Sequence, residues 1–295
     1  MPEINTSVPD RSSSPIGLRR RAMNSLVTLA ASGSVVAVVV PLIAIFGYLI
    51  YKGIGSINWA FFTQIPKPPG EPGGGMANAI AGSFLILSIA SVAGVPIGIG
   101  AGIYLAEYGQ NRLGNLIRFT ADVLNGVPSI VIGIVAYSLV VVTTGGFSAL
   151  AGGVALAIMM IPIIARTTEE MLLLVPNIVR EAAYGLGVSR WRTTLSITLR
   201  TATSGVITGV MLAFARVAGE TAPLLFTTLG NTYWNWKLNH ETAALPLQIF
   251  SYATSAYDDQ RRQAWAGAFV LIILIVASVS AVRYVAGRGM MKGTN

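Results

Sequence analysis

The chain has 295 residues, 53% hydrophobic and 11% charged, about half the charge of an average soluble domain, which excludes a soluble fold in favour of an all-α polytopic membrane protein. The lack of cysteine excludes disulfides and thiolate metal sites, and one histidine, His240, cannot build a metal cluster. The formal net charge of +8 does not point to nucleic acid, because the basic residues form no single patch with interleaved aromatics.

Residues 1–17 are rich in Pro, Ser and Asn and have no hydrophobic period, so with Arg19, Arg20 and Arg21 they read as a disordered cytoplasmic tail of 1–21. The uncharged run from Ala22 to Tyr51 is too long for the ~7–15 residue core of a cleaved signal peptide and predicts a retained first span over 26–50. Trp59, Phe61 and Phe62 are an expected interfacial aromatic belt before a Pro/Gly-rich loop at 66–75. The second span is 78–105, with Pro96 as a kink point; its Gly98-Ile99-Gly100-Ala101-Gly102 reads as close helix packing. A polar connection at 107–122 follows, with Arg118 and Asp122 four apart as an expected local ion pair. Residues 123–165 are uncharged for far longer than the ~20 residues of one span and read as two, turning at Thr143-Thr144-Gly145-Gly146. Residues 166–200 are polar and amphipathic, 201–229 makes the fifth span, 230–262 is a loop with Trp234 and Trp236, and 264–285 is the sixth. The six-span domain thus covers 22–285, and 286–295 is a short cytoplasmic tail.

Orientation follows from the basic residues. With both termini in the cytoplasm of a bacterial cell, the inner segments hold Arg11, Arg19, Arg20, Arg21, Arg112, Arg118, Arg166, Arg180, Arg190, Arg192, Arg200, Arg283, Arg288 and Lys292. The outer ones hold only Lys52, Lys67, Lys237, Arg261 and Arg262, as the positive-inside rule requires.

The fifth span carries Arg216 and Glu220 within apolar sequence. An Arg at a helix centre costs roughly 2.5–3.5 kcal/mol on insertion scales, so it calls for a partner or a function. Glu220 lies four residues on, and the same stripe holds Gly205 and Gly209, small residues that admit a close helix neighbour. Pro223 removes the bond that the Gly219 carbonyl would accept, which predicts a bend just past the charges. Two readings stand: Arg216 and Glu220 handle an anion in a path, or they neutralise each other to pin two helices.

Glu181-Ala182-Ala183, then Gly187, then Ile197 and Leu199, resemble in spacing the EAA loop of ABC importer permeases, with Arg200 where that pattern has Pro. The segment reads as a short surface helix for an ATPase cleft, or as an amphipathic connector on lipid headgroups. The resemblance widens over residues 181–227, above all Ala215-Arg216-Val217-Ala218-Gly219-Glu220-Thr221-Ala222-Pro223, which is similar to the phosphate-specific permeases of ABC importers, the PstA type. Ala79-Ile80-Ala81-Gly82, Tyr104-Leu105-Ala106-Glu107-Tyr108-Gly109, Asn125-Gly126-Val127-Pro128-Ser129-Ile130-Val131 and 161–169 agree with it too.

That resemblance implies a permease paired with a related permease subunit, with two ATPase subunits and an extracytoplasmic phosphate-binding protein. No Lys follows Gly in a Walker pattern, since Lys52, Lys67, Lys237 and Lys292 follow Tyr, Pro, Trp and Met. No catalysis, metal or cofactor is therefore expected in this chain, and ATP and magnesium belong to the ATPase partner. The expected path residues are Arg216, Glu220 and Arg166, the last with Glu169 and Glu170 either stabilising the cytoplasmic end of the path or anchoring a helix end. Sulfate or molybdate as the cargo, and an ion-coupled transporter or channel, are the alternatives.

Overall fold

The computed structural model describes residues 15–291. The chain forms two units, residues 1–51 and 52–295. The first holds most of α1 (Pro15–Gly53), whose side chains are exposed and apolar along nearly all its length. Residues 15–21, expected in a disordered tail, are helical; 1–14 lie outside the described residues.

The second unit runs through α2 (Trp59–Thr63), α3 (Ala77–Tyr108), α4 (Arg112–Gly126), α5 (Ser129–Ala136), a π-helical turn (Tyr137–Val141) and α6 (Val142–Thr144). It continues through α7 (Ala149–Leu173), α8 (Asn177–Gly185), α9 (Arg190–Thr193), a second π-helical turn (Thr194–Thr198), α10 (Leu199–Ala218), α11 (Ala222–Thr227), α12 (Leu245–Ala253) and α13 (Asp258–Met291). No strand occurs among the described residues; Leu229 and Thr242 make one isolated bridge. Helix α13 runs past Val285 into the expected tail, and 292–295 lie outside the described residues.

Among the described residues five helices are long and apolar enough to cross a membrane: Arg19–Ser56, Ala77–Tyr108, Ala149–Leu173, Arg190–Ala218 and Asp258–Val285. The remaining expected span is a broken pair, Arg112–Gly126 and Ser129–Thr144, bent by 108°. The break has a local cause. Pro128 disfavours helical geometry at Val127, which is extended at ψ 132, so the polar connection expected at 107–122 is instead largely an amphipathic helix that turns sharply into the apolar one.

The fifth span is also redrawn. Arg200 stands where the EAA pattern has Pro, so its backbone N–H stays available and helix runs unbroken from Arg190, with one π turn absorbing an extra residue. The other end stops at Ala218 rather than Leu229.

Helix α7 is the centre of the second unit, two thirds of its membrane window being buried (67%). Helix α3 packs along it through a row of small residues: a Cβ on Gly94 would lie 3.2 Å from Met160 Cβ, on Gly98 2.7 Å from Ile164 Cβ, and on Gly102 2.5 Å from Thr168 Cβ. Gly98 and Gly102 permit backbone approach that a side chain would forbid, and a side chain at Gly94 would be crowded. Helix α10 meets another face of α7, where Gly205 adjoins Met171 and Gly209 adjoins Thr167. A second core lies around Phe61, Met76, Leu245, Tyr252 and Ala266. Phe61 is thus core rather than interfacial belt, while Trp59 and Phe62 are exposed.

Candidate functional site

Arg216 occupies the last turn of α10, at the end away from α8, and its side chain is exposed between the buried Ala213 and Val217. Glu220 is not on the same helix. The Gly219 carbonyl could find no N–H at Pro223, and the Pro ring would clash with it, so the helix ends at Ala218 and the Glu220 N–H turns back to the Val217 carbonyl at 3.2 Å. Helical spacing therefore does not bring Arg216 and Glu220 together, and no ion pair joins them among the described residues. Gly219 faces open space, whereas Pro223 starts α11 and packs on α5, its Cα 2.7 Å from where a Cβ on Gly133 would stand. The break after α10 and the α4–α5 break are thus both made by proline.

Arg166 lies on α7 in a charged chain of four residues. Glu169, buried, accepts from Arg166 Nη1 at 2.7 Å and from Arg118 Nε at 2.6 Å; Arg166 Nε also pairs with the exposed Asp122 at 3.1 Å. The expected Arg118–Asp122 pair does not form. The Arg118 guanidinium is drawn instead to the C-terminus of α3, donating to the carbonyls of Gly109 (2.8 Å) and Leu105 (2.9 Å), where the helix dipole favours a cation. Glu170, also considered for this cluster, is exposed and outside it.

Glu181, Ala182 and Ala183 sit on α8. Ala183 is buried against the body, while Glu181 and Ala182 face out beside the exposed Ile178, Leu186 and Trp191. Gly187 closes the helix with φ +77: its N–H reaches the Tyr184 carbonyl at 2.9 Å and Val188 N–H reaches the Ala183 carbonyl at 3.1 Å. This left-handed turn directs the chain into α9.

Two residues outside the expected set complete the region. Arg180 of α8 donates from Nε and Nη2 to Glu107 Oε1, both at 3.2 Å, from Nη1 to the Val175 carbonyl at 2.6 Å and from Nη2 to the Leu172 carbonyl at 2.7 Å. Glu107 ends α3 and is buried. A carboxylate closing a long apolar run, with an Arg directly before the EAA triplet, was the available signal for this pair.

A model of the binding-protein-dependent transport system inner membrane component matches residues 94–289. The phosphate transport system permease protein PstA of Yersinia pestis is 45% identical over 258 residues, covering 87% of this chain and 88% of that protein. The PstA of Haemophilus influenzae is 48% identical over 229 residues, covering 77% and 81%. The chain belongs to the PstA family of phosphate transport permeases. A chain of the MetNI methionine ABC transporter, in an inward-facing conformation, shares the fold at TM-score 0.55 and 18% identity, covering 75% of this chain and 98% of that one. As a PstA-family member it is an inner-membrane permease component and not a catalytic subunit, and the matched region holds every charged group described above. The segments that resemble the PstA type fall at structural junctions: 125–131 at the α4–α5 break, 104–109 at the end of α3, and 161–169 on α7, where Ile164 and Thr168 meet α3 and Thr167 meets α10.

Proposed function

We propose that this chain is the permease subunit of an ATP-driven importer for inorganic phosphate, with both termini cytoplasmic. It pairs with a related permease and couples through α8 to two ATPase subunits that hold ATP and magnesium, while an extracytoplasmic binding protein delivers the anion. The observation that carries the anion path is Arg216, a guanidinium exposed in the last turn of a membrane-spanning helix with no carboxylate paired to it among the described residues. Its fork can donate two hydrogen bonds to a tetrahedral oxyanion. Arg166, partly exposed toward Asp122, is a second cation nearer the α8 end. Inorganic phosphate near neutral pH keeps at least one proton, because its last ionisation lies far above neutrality, so Glu220 beside the break can accept from phosphate and repel sulfate, which has no proton to give. Among the described residues no ion pair joins Arg216 and Glu220, which favours the path reading over helix pinning by that pair.

Uptake into vesicles carrying the complete complex tests this, normalised to assembled complex and repeated with excess sulfate. Arg216→Ala abolishes phosphate uptake, and Glu220→Gln lets sulfate compete. If both variants assemble and transport phosphate as the parent does, neither residue lies on the path. Uptake that persists without ATPase subunits would favour an ion-coupled transporter or channel instead.

A further inference from the structure

Glu107 belongs to neither the anion path nor the docking face, yet it is buried at the junction of three helices, where an unpaired carboxylate is strongly disfavoured. Helix α8 joins the body through two breaks in the helical backbone, Val175-Pro176 on entry and the left-handed Gly187 on exit. A displacement applied to α8 would be absorbed by rotation at those turns unless a side chain braces it. Arg180 is that brace. Its fork ties α8 to the Leu172 carbonyl at the end of α7, to the Val175 carbonyl just beyond that end, and to the carboxylate of Glu107 on α3. Beyond the exit turn Arg190 donates to the backbone carbonyl of the same Glu107 and lies over the Tyr108 ring at 4.6 Å. Arginines on both sides of Gly187 therefore converge on one residue, and α3 and α7 are the most closely packed helix pair of the unit, through Gly94, Gly98 and Gly102.

We propose that Glu107 is the positioning residue that converts movement of α8 into rigid displacement of the α3–α7 pair. The proposal rests on α8 being the ATPase docking helix and adds the route by which that movement enters the membrane. Charge strengthens the route: the Arg180 guanidinium sets two donors, Nε and Nη2, on one oxygen of the Glu107 carboxylate while its remaining N–H groups hold the Leu172 and Val175 carbonyls.

The experiment measures phosphate taken up per ATP hydrolysed in vesicles carrying the complete complex. Glu107→Gln keeps ATP hydrolysis within about twofold of the parent and lowers uptake per ATP about tenfold. Glu107→Gln combined with Arg180→Gln is no worse than either single change, because the two act as one link. A parental ratio in Glu107→Gln, or a double variant much worse than both singles, overturns the proposal. Should Glu107→Gln not assemble, Arg180→Lys decides, since it keeps the charge and gives up the fork: parental coupling there overturns the proposal, and uncoupling supports it. A Gly187→Val control separates the two readings. Uncoupling in that control alone sinks the role of Glu107 and leaves docking intact, whereas parental coupling in every variant sinks docking as well.

Discussion

A single backbone angle matters more at Gly187 than the space around it. No atom lies within 4 Å of a Cβ placed there, so a larger side chain meets no clash, but φ +77 costs an L-residue roughly 1–2 kcal/mol. Gly187→Val is therefore expected to reorient the exit from α8 and lower uptake per ATP, while Gly187→Asn, tolerant of left-handed geometry, retains most of it. Equal coupling in both variants would show that the turn is indifferent to its conformation. Glu169 poses a different question, because this one buried carboxylate serves both Arg118 and Arg166. Removing its charge leaves Arg166 with the exposed Asp122 alone and Arg118 with two helix-end carbonyls and no carboxylate, and breaking a fully buried pair costs about 3–5 kcal/mol, an upper bound for these part-buried arginines. Glu169→Gln should accordingly lower the thermal midpoint of the purified complex by several degrees, and an unchanged midpoint would place the network on the surface in energetic terms.

Helices meet here according to where they lack side chains. Gly98 and Gly100 are two residues apart in α3, yet Gly98 presses on Ile164 and Gly100 faces open space. Gly98→Leu should destabilise by about 1–3 kcal/mol through overpacking, and Gly100→Leu should change stability by no more than about 0.5 kcal/mol. Thermal unfolding in detergent checks the pair, and equal effects would mean that α3 is rotated relative to α7. The same contrast separates the glycines of α10: Gly205 and Gly209 lie against α7, but Gly219 lies at the helix end with no neighbour and serves the break instead.

Across the whole molecule, the proposed topology puts the 66–75 loop outside and the segment before α4 inside. Natural cysteine is absent, so single introduced thiols report cleanly. Gly74 is a poor reporter, buried with φ +80, whereas Glu71 is exposed in the same loop. Glu71→Cys should react with an impermeant maleimide on intact cells and Arg112→Cys only after permeabilisation; the reverse pattern inverts the topology. The loop itself is held in place from a distance, Gln263 Nε2 donating to the Gly73 carbonyl at 2.9 Å.

Long apolar runs, the proline positions and the EAA spacing are local properties, so the sequence alone determined the helical membrane class, most of the spans, the family and the surface helix that carries Glu181. Local chemistry also placed a break near Pro223. Proline chemistry alone leaves open whether a helix bends or ends; in the fold α10 ends at Ala218 and Pro223 starts a separate helix seated on Gly133, which separates Glu220 from the face of Arg216. Ion pairing was likewise decided by tertiary structure. Arg118 and Asp122 stand four apart and would pair in an isolated helix, but Arg118 gains two helix-end carbonyls and a buried carboxylate 51 residues away, a stronger set than one exposed Asp. Glu107 and Arg180, 73 residues apart, could be joined only by the fold that brings the end of α3 to α8, because hydropathy and motif spacing record neither distance nor direction between segments.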